Sequence, residues 1–110
     1  MSIQTARQKV YQIVKKIPKG KVTTYKEVGK ATGILPRVVG YALHLNNSAD
    51  VPCHRVVNIQ GRIAPNFGLG GHLEQKKRLE DEGVVFKSEM YVRDLEEYLH
   101  KFDTKNDYRL

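Results

Sequence analysis

The segment Val51-Pro52-Cys53-His54-Arg55-Val56-Val57 carries the one cysteine of the chain. A thiol attacks as its thiolate, and a neighbouring base or positive field makes that thiolate available. His54 and Arg55 follow Cys53 directly. Adjacent side chains of an extended segment point to opposite faces, so a hydrogen bond between Cys53 and His54 requires a turn or a bridging water. Two readings of the cysteine stand side by side: a small buried hydrophobe, or a nucleophile served by its histidine. His44, His54, His72 and His100 are scattered without zinc spacing, so no metal site is expected.

The chain around this segment has 110 residues, enough for one domain with a modest core. No apolar run reaches the length of a membrane span, and no signal-peptide pattern opens the sequence. A lone cysteine forms no internal disulfide, which suits a reducing compartment; the expected setting is cytoplasmic, or nuclear in a eukaryote. The net charge of +7 is unevenly placed. Up to Asn46 there are nine Lys/Arg against one acid, Glu27, and beyond it ten against eleven. A concentrated basic half fits a polyanion, nucleic acid being the commonest, or else a solvated surface without a partner.

Ile3, Ala6, Val10, Ile13, Val14 and Ile17 recur at helical spacing and predict an amphipathic helix over 3–17. Pro18-Lys19-Gly20 ends it. Thr24 and Glu27 fit a capping box that opens a short second helix, with Gly33 as its stop. Pro36 suits the first turn of a third helix. On that helix Leu35, Val38, Val39, Ala42, Leu43 and Asn46 share an inward side, while Arg37, Gly40, Tyr41 and His44 share the outer one. Two helices joined through a glycine turn, the second with a polar face, is the helix-turn-helix pattern.

Val56-Val57-Asn58 and Arg62-Ile63-Ala64 flank Ile59-Gln60-Gly61 and predict a small hairpin or wing. The fold class expected is therefore mainly α with a small β hairpin, a winged-helix-like helix-turn-helix domain. Pro65 to Gly71 is a glycine-rich loop without the Gly-Lys-Ser/Thr of a phosphate loop. Leu73 to Glu82 predicts a charged helix closed by Gly83, after which Val84-Val85-Phe86 should dock. Tyr91 or Val92, Leu95, Tyr98, Leu99 and Phe102 predict a last helix covering the core. Residues 1–102 form the expected domain, and 103–110 a polar tail.

Pro52-Cys53-His54-Arg55-Val56-Val57 resembles the active-site motif of the O6-alkylguanine-DNA alkyltransferases, also called methylated-DNA–protein-cysteine methyltransferases. Pro18-x-Gly20-x-Val22-x-x-Tyr25 resembles the family's approach to its helix-turn-helix. Arg37-Val38-Val39-Gly40-x-Ala42 resembles its recognition helix, with Asn46 at the position of its asparagine. Gly70-Gly71 resembles its active-site loop and Glu82-Gly83 its Glu-Gly. The resemblance runs from residue 7 to residue 86, the DNA-binding and active-site domain; the family's usual N-terminal domain is not matched.

The resemblance implies a monomer that binds double-stranded DNA containing O6-alkylguanine through the minor groove. Arg37 would fill the gap left by a flipped base, and the small Gly40 and Ala42 would permit close approach. Tyr41 departs from the smaller residues usual at its position, to stack on a sugar or crowd the groove. Cys53 would accept the alkyl group, with His54 as base through a water, Glu82 holding His54, and Tyr25 and Asn46 completing the catalytic set. Val56, Val57, Phe67, Gly68, Leu69, Gly70 and Gly71 would line the pocket. Active relatives usually carry Tyr-Ser/Ala-Gly-Gly, whereas this chain has the longer Phe67-Gly68-Leu69-Gly70-Gly71 and no hydroxyl at Phe67. The short form is also similar to the alkyltransferase-like proteins, which bind such lesions without repairing them and typically carry tryptophan or alanine in place of Cys53. A helix-turn-helix regulator reading the major groove is a third reading.

Overall fold

The computed structural model describes residues 2–102. In chain order it contains α1 (Ile3–Val14), β1 (Thr23–Thr24), α2 (Tyr25–Thr32), α3 (Pro36–His44), a 3-10 turn (Cys53–Arg55), β2 (Val56–Val57), α4 (Gly71–Asp81) and α5 (Leu95–Tyr98). The expected tail over 103–110 lies outside the described residues.

Three helices build the first half. Ser2 Oγ accepts the Thr5 amide at the start of α1, and Ala6, Val10, Ile13 and Val14 bury one face. The helix stops at Val14, short of the expected Ile17. The amides of Lys16 and Ile17 bond three residues back, tightening the chain into a turn that still buries Ile17. At α2 the Thr24 hydroxyl accepts the Glu27 amide at 3.1 Å, the N-cap half of the expected capping box, while the Glu27 carboxylate faces Lys30 at 3.9 Å. Gly33 caps the other end in the left-handed region, φ +74. Pro36 opens α3. Val39, Ala42, Leu43 and Asn46 are buried as expected, but Leu35 is 67% exposed. Leu35 is the N-cap, outside the helix, so helical periodicity does not orient it.

The predicted hairpin is replaced by a different pairing. β2 runs parallel to β1, with Thr23 opposite Val56 and Thr24 opposite Val57. Asn58 to Arg62 closes a tight turn in which Asn58 Oδ1 accepts the amides of Gln60 and Arg62. Ile63 then donates to the Met90 carbonyl, and Val92 to that of Gly61. The flanking segments thus find separate partners beyond the turn.

The predicted last helix is also corrected. Only Leu95–Tyr98 is helical; Tyr91, Val92 and Leu99 make isolated strand-like bridges, and the chain bends at Arg93 and Asp94, the latter in the left-handed region with φ +50. Arg62 bridges Tyr91 and Phe86 bridges Val92, both antiparallel, while Leu99 lies parallel to Val22. β-branched and aromatic residues spaced for a helix also suit a strand, and the available backbone partners select the strand. Phe102 nevertheless covers the first core, as expected of it.

Two buried clusters result. One joins α1, α2 and α3 to Val51, Cys53, Val56, Phe67 and Phe102; the other holds Val22, Val57, Ile63, Leu79, Val84 and Val92. Neighbouring Val56 and Val57 point into different clusters, the two-residue period of a strand. The 3-10 turn with Cys53 is therefore fixed between two cores.

Candidate active site

Cys53 opens the 3-10 turn directly after Pro52. The turn closes through the Arg55 amide on the Pro52 carbonyl at 3.0 Å. Such a turn is what adjacent Cys and His side chains need to leave the strict alternation of a strand. Cys53 is nearly buried, one wall of a small pocket shared with Tyr25, Gly40, His44, Phe67 and Gln75.

Asn46, just beyond α3, is buried and orders the approach to the turn. Its Nδ2 donates toward the Ser48 carbonyl (3.1 Å), the Val51 carbonyl (3.3 Å) and Cys53 Sγ (3.4 Å). Burial pushes the thiol pKa above its ordinary value; the Asn46 donor, the Arg78 charge and nearby amides oppose that rise. The sulfur therefore rests protonated and requires a base to become nucleophilic.

His54 is that base. Its Nε2 lies 2.8 Å from Glu82 Oε2. Burial opposes ionisation of Glu82, but hydrogen bonds from Arg55, His54 and the Gly20 amide outweigh it and lower its pKa to about 2. An ionised carboxylate only accepts, so Nε2 carries the hydrogen and Nδ1 is left basic. Burial lowers the histidine's own pKa despite the pull of Glu82. At neutral pH the ring is uncharged and free to accept a proton.

Arg55 locks this pair. Nε and Nη2 make a two-pronged contact with Glu82 at 2.9 and 2.8 Å, and Nη1 donates to the Ile17 carbonyl at 2.9 Å. Gln75 performs a parallel task from α4. Its Nε2 donates to the carbonyls of His54 and Val56, and its Oε1 accepts the Ala64 amide at 2.8 Å. It ties the Cys53 turn, β2 and the root of the glycine loop together. Sequence reading assigned no role to Gln75; its four-residue spacing from buried Leu79 was the available signal.

The remaining expected residues divide. Tyr25 stands in the pocket wall; burial, then the Cys53 charge, raise its pKa, so its phenol stays a donor. Gly40 faces the Tyr25 ring, where an added Cβ would sit 3.7 Å away. Arg37 and Tyr41 project from the exposed side of α3, one helical turn apart. Ala42 does not join them: it is fully buried, and its carbonyl accepts the Tyr11 hydroxyl at 2.6 Å. Its small size serves packing against α1. Phe67 and Gly68 line the pocket, while Val56 and Val57 turn into the cores. Leu69 packs on the first core, Gly70 caps α4 and Gly71 begins it. These five shape the pocket from behind without forming its wall.

The glycine loop sits close against α3. A Cβ on Gly68 would fall 2.9 Å from the His44 carbonyl oxygen. The pocket beside Cys53 has a volume of only about 50 Å³, against roughly 150 Å³ for a cavity that takes up benzene.

A helix-turn-helix domain that sets a cysteine in a pocket wall, next to a histidine bonded to a glutamate, defines a DNA-binding fold with a thiol at its pocket. Residues 5–84 match the family described as 6-O-methylguanine DNA methyltransferase, DNA binding domain, and the chain belongs to that family. It is 44% identical over 99 residues to alkyltransferase-like protein 1 of Schizosaccharomyces pombe, covering 84% of this chain and 92% of that one. It is 40% identical over 92 residues to a methylated-DNA–protein-cysteine methyltransferase of Metallosphaera sedula, of which it spans 54%, or about half. Among solved structures, the S. pombe alkyltransferase-like protein in complex with damaged DNA containing O6-carboxymethylguanine superposes with a TM-score of 0.80 at 39% identity, covering 92% of this chain and 99% of that one.

Proposed function

We propose that the protein repairs O6-alkylguanine in double-stranded DNA by moving the alkyl group onto Cys53. The observation that carries this reading is the Cys53 turn backed by the His54–Glu82–Arg55 chain, with a thiol present to use it. The basic half and the exposed face of α3 with Arg37 and Tyr41 engage the duplex through the minor groove. The damaged base is flipped out of the stack, at a cost of a few kcal/mol, and Arg37 fills the gap.

His54 takes the thiol proton through a bridging water. Sγ attacks the alkyl carbon; the S–C bond forms as the C–O6 bond breaks, and the electron pair stays with the guanine. Tyr25 donates a hydrogen bond at the base edge and lessens that charge, and the base regains a proton from solvent. Asn46 steadies the sulfur. A thioether has no return path, so each chain reacts once and no cofactor takes part.

A second reading is favoured by the near full-length match to an alkyltransferase-like protein: the chain binds the lesion and leaves it in place. The fate of the DNA decides between them. Duplex containing O6-methylguanine, incubated with excess protein and digested to nucleosides, should contain guanine in its place. Unchanged O6-methylguanine in a bound duplex would establish the second reading.

A further inference from the structure

Arg78 has no part in the proposed reaction, yet it stands beside the pocket. It lies on α4, which packs against the Cys53 turn. Its guanidinium carbon is 5.5 Å from the centre of the Phe67 ring, and Phe67 forms a pocket wall with Cys53. A flat cation over an aromatic face is an attractive arrangement. Nε of Arg78 is 3.1 Å from Glu74 Oε1, one turn back on the same helix, which orients the guanidinium.

The titratable and charged groups around Cys53 come from every neighbouring element. They are Tyr25 on α2, His44 at the end of α3, His54 and Arg55 in its own turn, Glu74 and Arg78 on α4, and Glu82 at the end of α4. Glu82 takes the Arg55 contact in a two-pronged pair, whereas Glu74 meets Arg78 through Nε.

We infer that Arg78 is the positioning residue of the nucleophile pocket: its flat face holds the Phe67 wall closed and its charge supports the Cys53 thiolate. The inference rests on Cys53 acting as the nucleophile. The electrostatics agree, since Arg78 opposes the burial that keeps the thiol protonated and also disfavours charge on His54. The cation thus stabilises the thiolate itself rather than the passage of its proton to His54.

The test is the pH dependence of Cys53 alkylation by iodoacetamide, read by intact mass. Arg78→Met should move the midpoint to higher pH and slow the reaction at neutral pH about threefold, a modest effect because the guanidinium is partly solvated. Arg78→Lys keeps the charge but loses the flat face; it should hold the wild-type midpoint while raising the limiting rate at high pH, as the Phe67 wall loosens. Arg78→Gln, which keeps a donor for Glu74, should repeat the shift of Arg78→Met and guards against misfolding of the latter. An unmoved midpoint in a folded neutral variant overturns the inference, as does an equal shift in Arg78→Lys. Iodoacetamide requires neither DNA nor lesion, so these outcomes are separate from whether the wild-type protein transfers alkyl groups.

Discussion

His54 Nε2 and Glu82 Oε2 stand 2.8 Å apart, and Arg55 Nη2 donates to the same oxygen at 2.8 Å. The contact fixes which nitrogen of the ring is basic, and it spans from the Cys53 turn to the end of α4. His54→Ala and Glu82→Gln should both slow alkyl transfer at neutral pH. The defect should shrink as pH rises, because the thiol then ionises without help. A defect of constant size across the pH range would show that the pair serves only packing. Rates of transfer from O6-benzylguanine between neutral and alkaline pH provide the check.

The same carboxylate links stability to acid. Glu82 has its pKa lowered to about 2 in the fold, from 4.5. A lowered carboxylate contributes stability that is complete above the unfolded value and lost as pH falls through the folded one. Allowing for solvent screening, the contribution is about 2 kcal/mol. Wild-type protein should therefore lose melting temperature between pH 5 and pH 2 more steeply than Glu82→Gln, which starts lower and titrates less. Parallel curves would contradict the assignment.

How much of this was readable from the chain differs by element. Thr24, Gly33 and Pro36 marked the helix boundaries because caps and stops act locally. The parallel pairing of β1 and β2 was hidden because Thr23 and Val56 are far apart in sequence, and a two-residue strand has no pattern of its own. Residues 90–100 satisfied helical spacing but were claimed by distant backbone partners at Gly61, Val85 and Val22. In the site, the contact between His54 and Glu82 was legible through family motifs. Gln75 was not, since a buried glutamine in a charged helix looks like one more solvated residue until its three bonds are seen.

Arg37 makes a sharper test of base flipping. It is exposed on α3 and lies outside the pocket wall. Arg37→Ala should reduce transfer from duplex DNA at least tenfold, on the order of one discriminating contact, while leaving transfer from free O6-benzylguanine near wild type. A free base has no stack to leave. Equal losses on both substrates would assign Arg37 to folding or general charge.

The basic first half predicts how binding responds to salt. Affinity for undamaged duplex should fall linearly on a log-log plot, with a slope equivalent to several phosphate contacts. Binding that ignores salt, measured by fluorescence anisotropy, would remove the electrostatic part of the account.

Phe67 and the tight space behind it bear on which lesions fit. Phe67→Ala should enlarge the pocket and raise the rate with benzyl relative to methyl adducts. The missing ring should lower stability by about 3 kcal/mol. An unchanged ratio of rates would show that the loop already moves clear of the base.

The central claim is that Cys53 is alkylated by DNA. Its most direct measurement is the mass of the protein, and of its Cys53 peptide, after incubation with duplex containing O6-methylguanine. Wild-type protein should gain one methyl equivalent per chain on that peptide, and Cys53→Ser should bind the duplex and gain none. A wild-type chain that binds the lesion tightly and keeps its original mass would contradict the account.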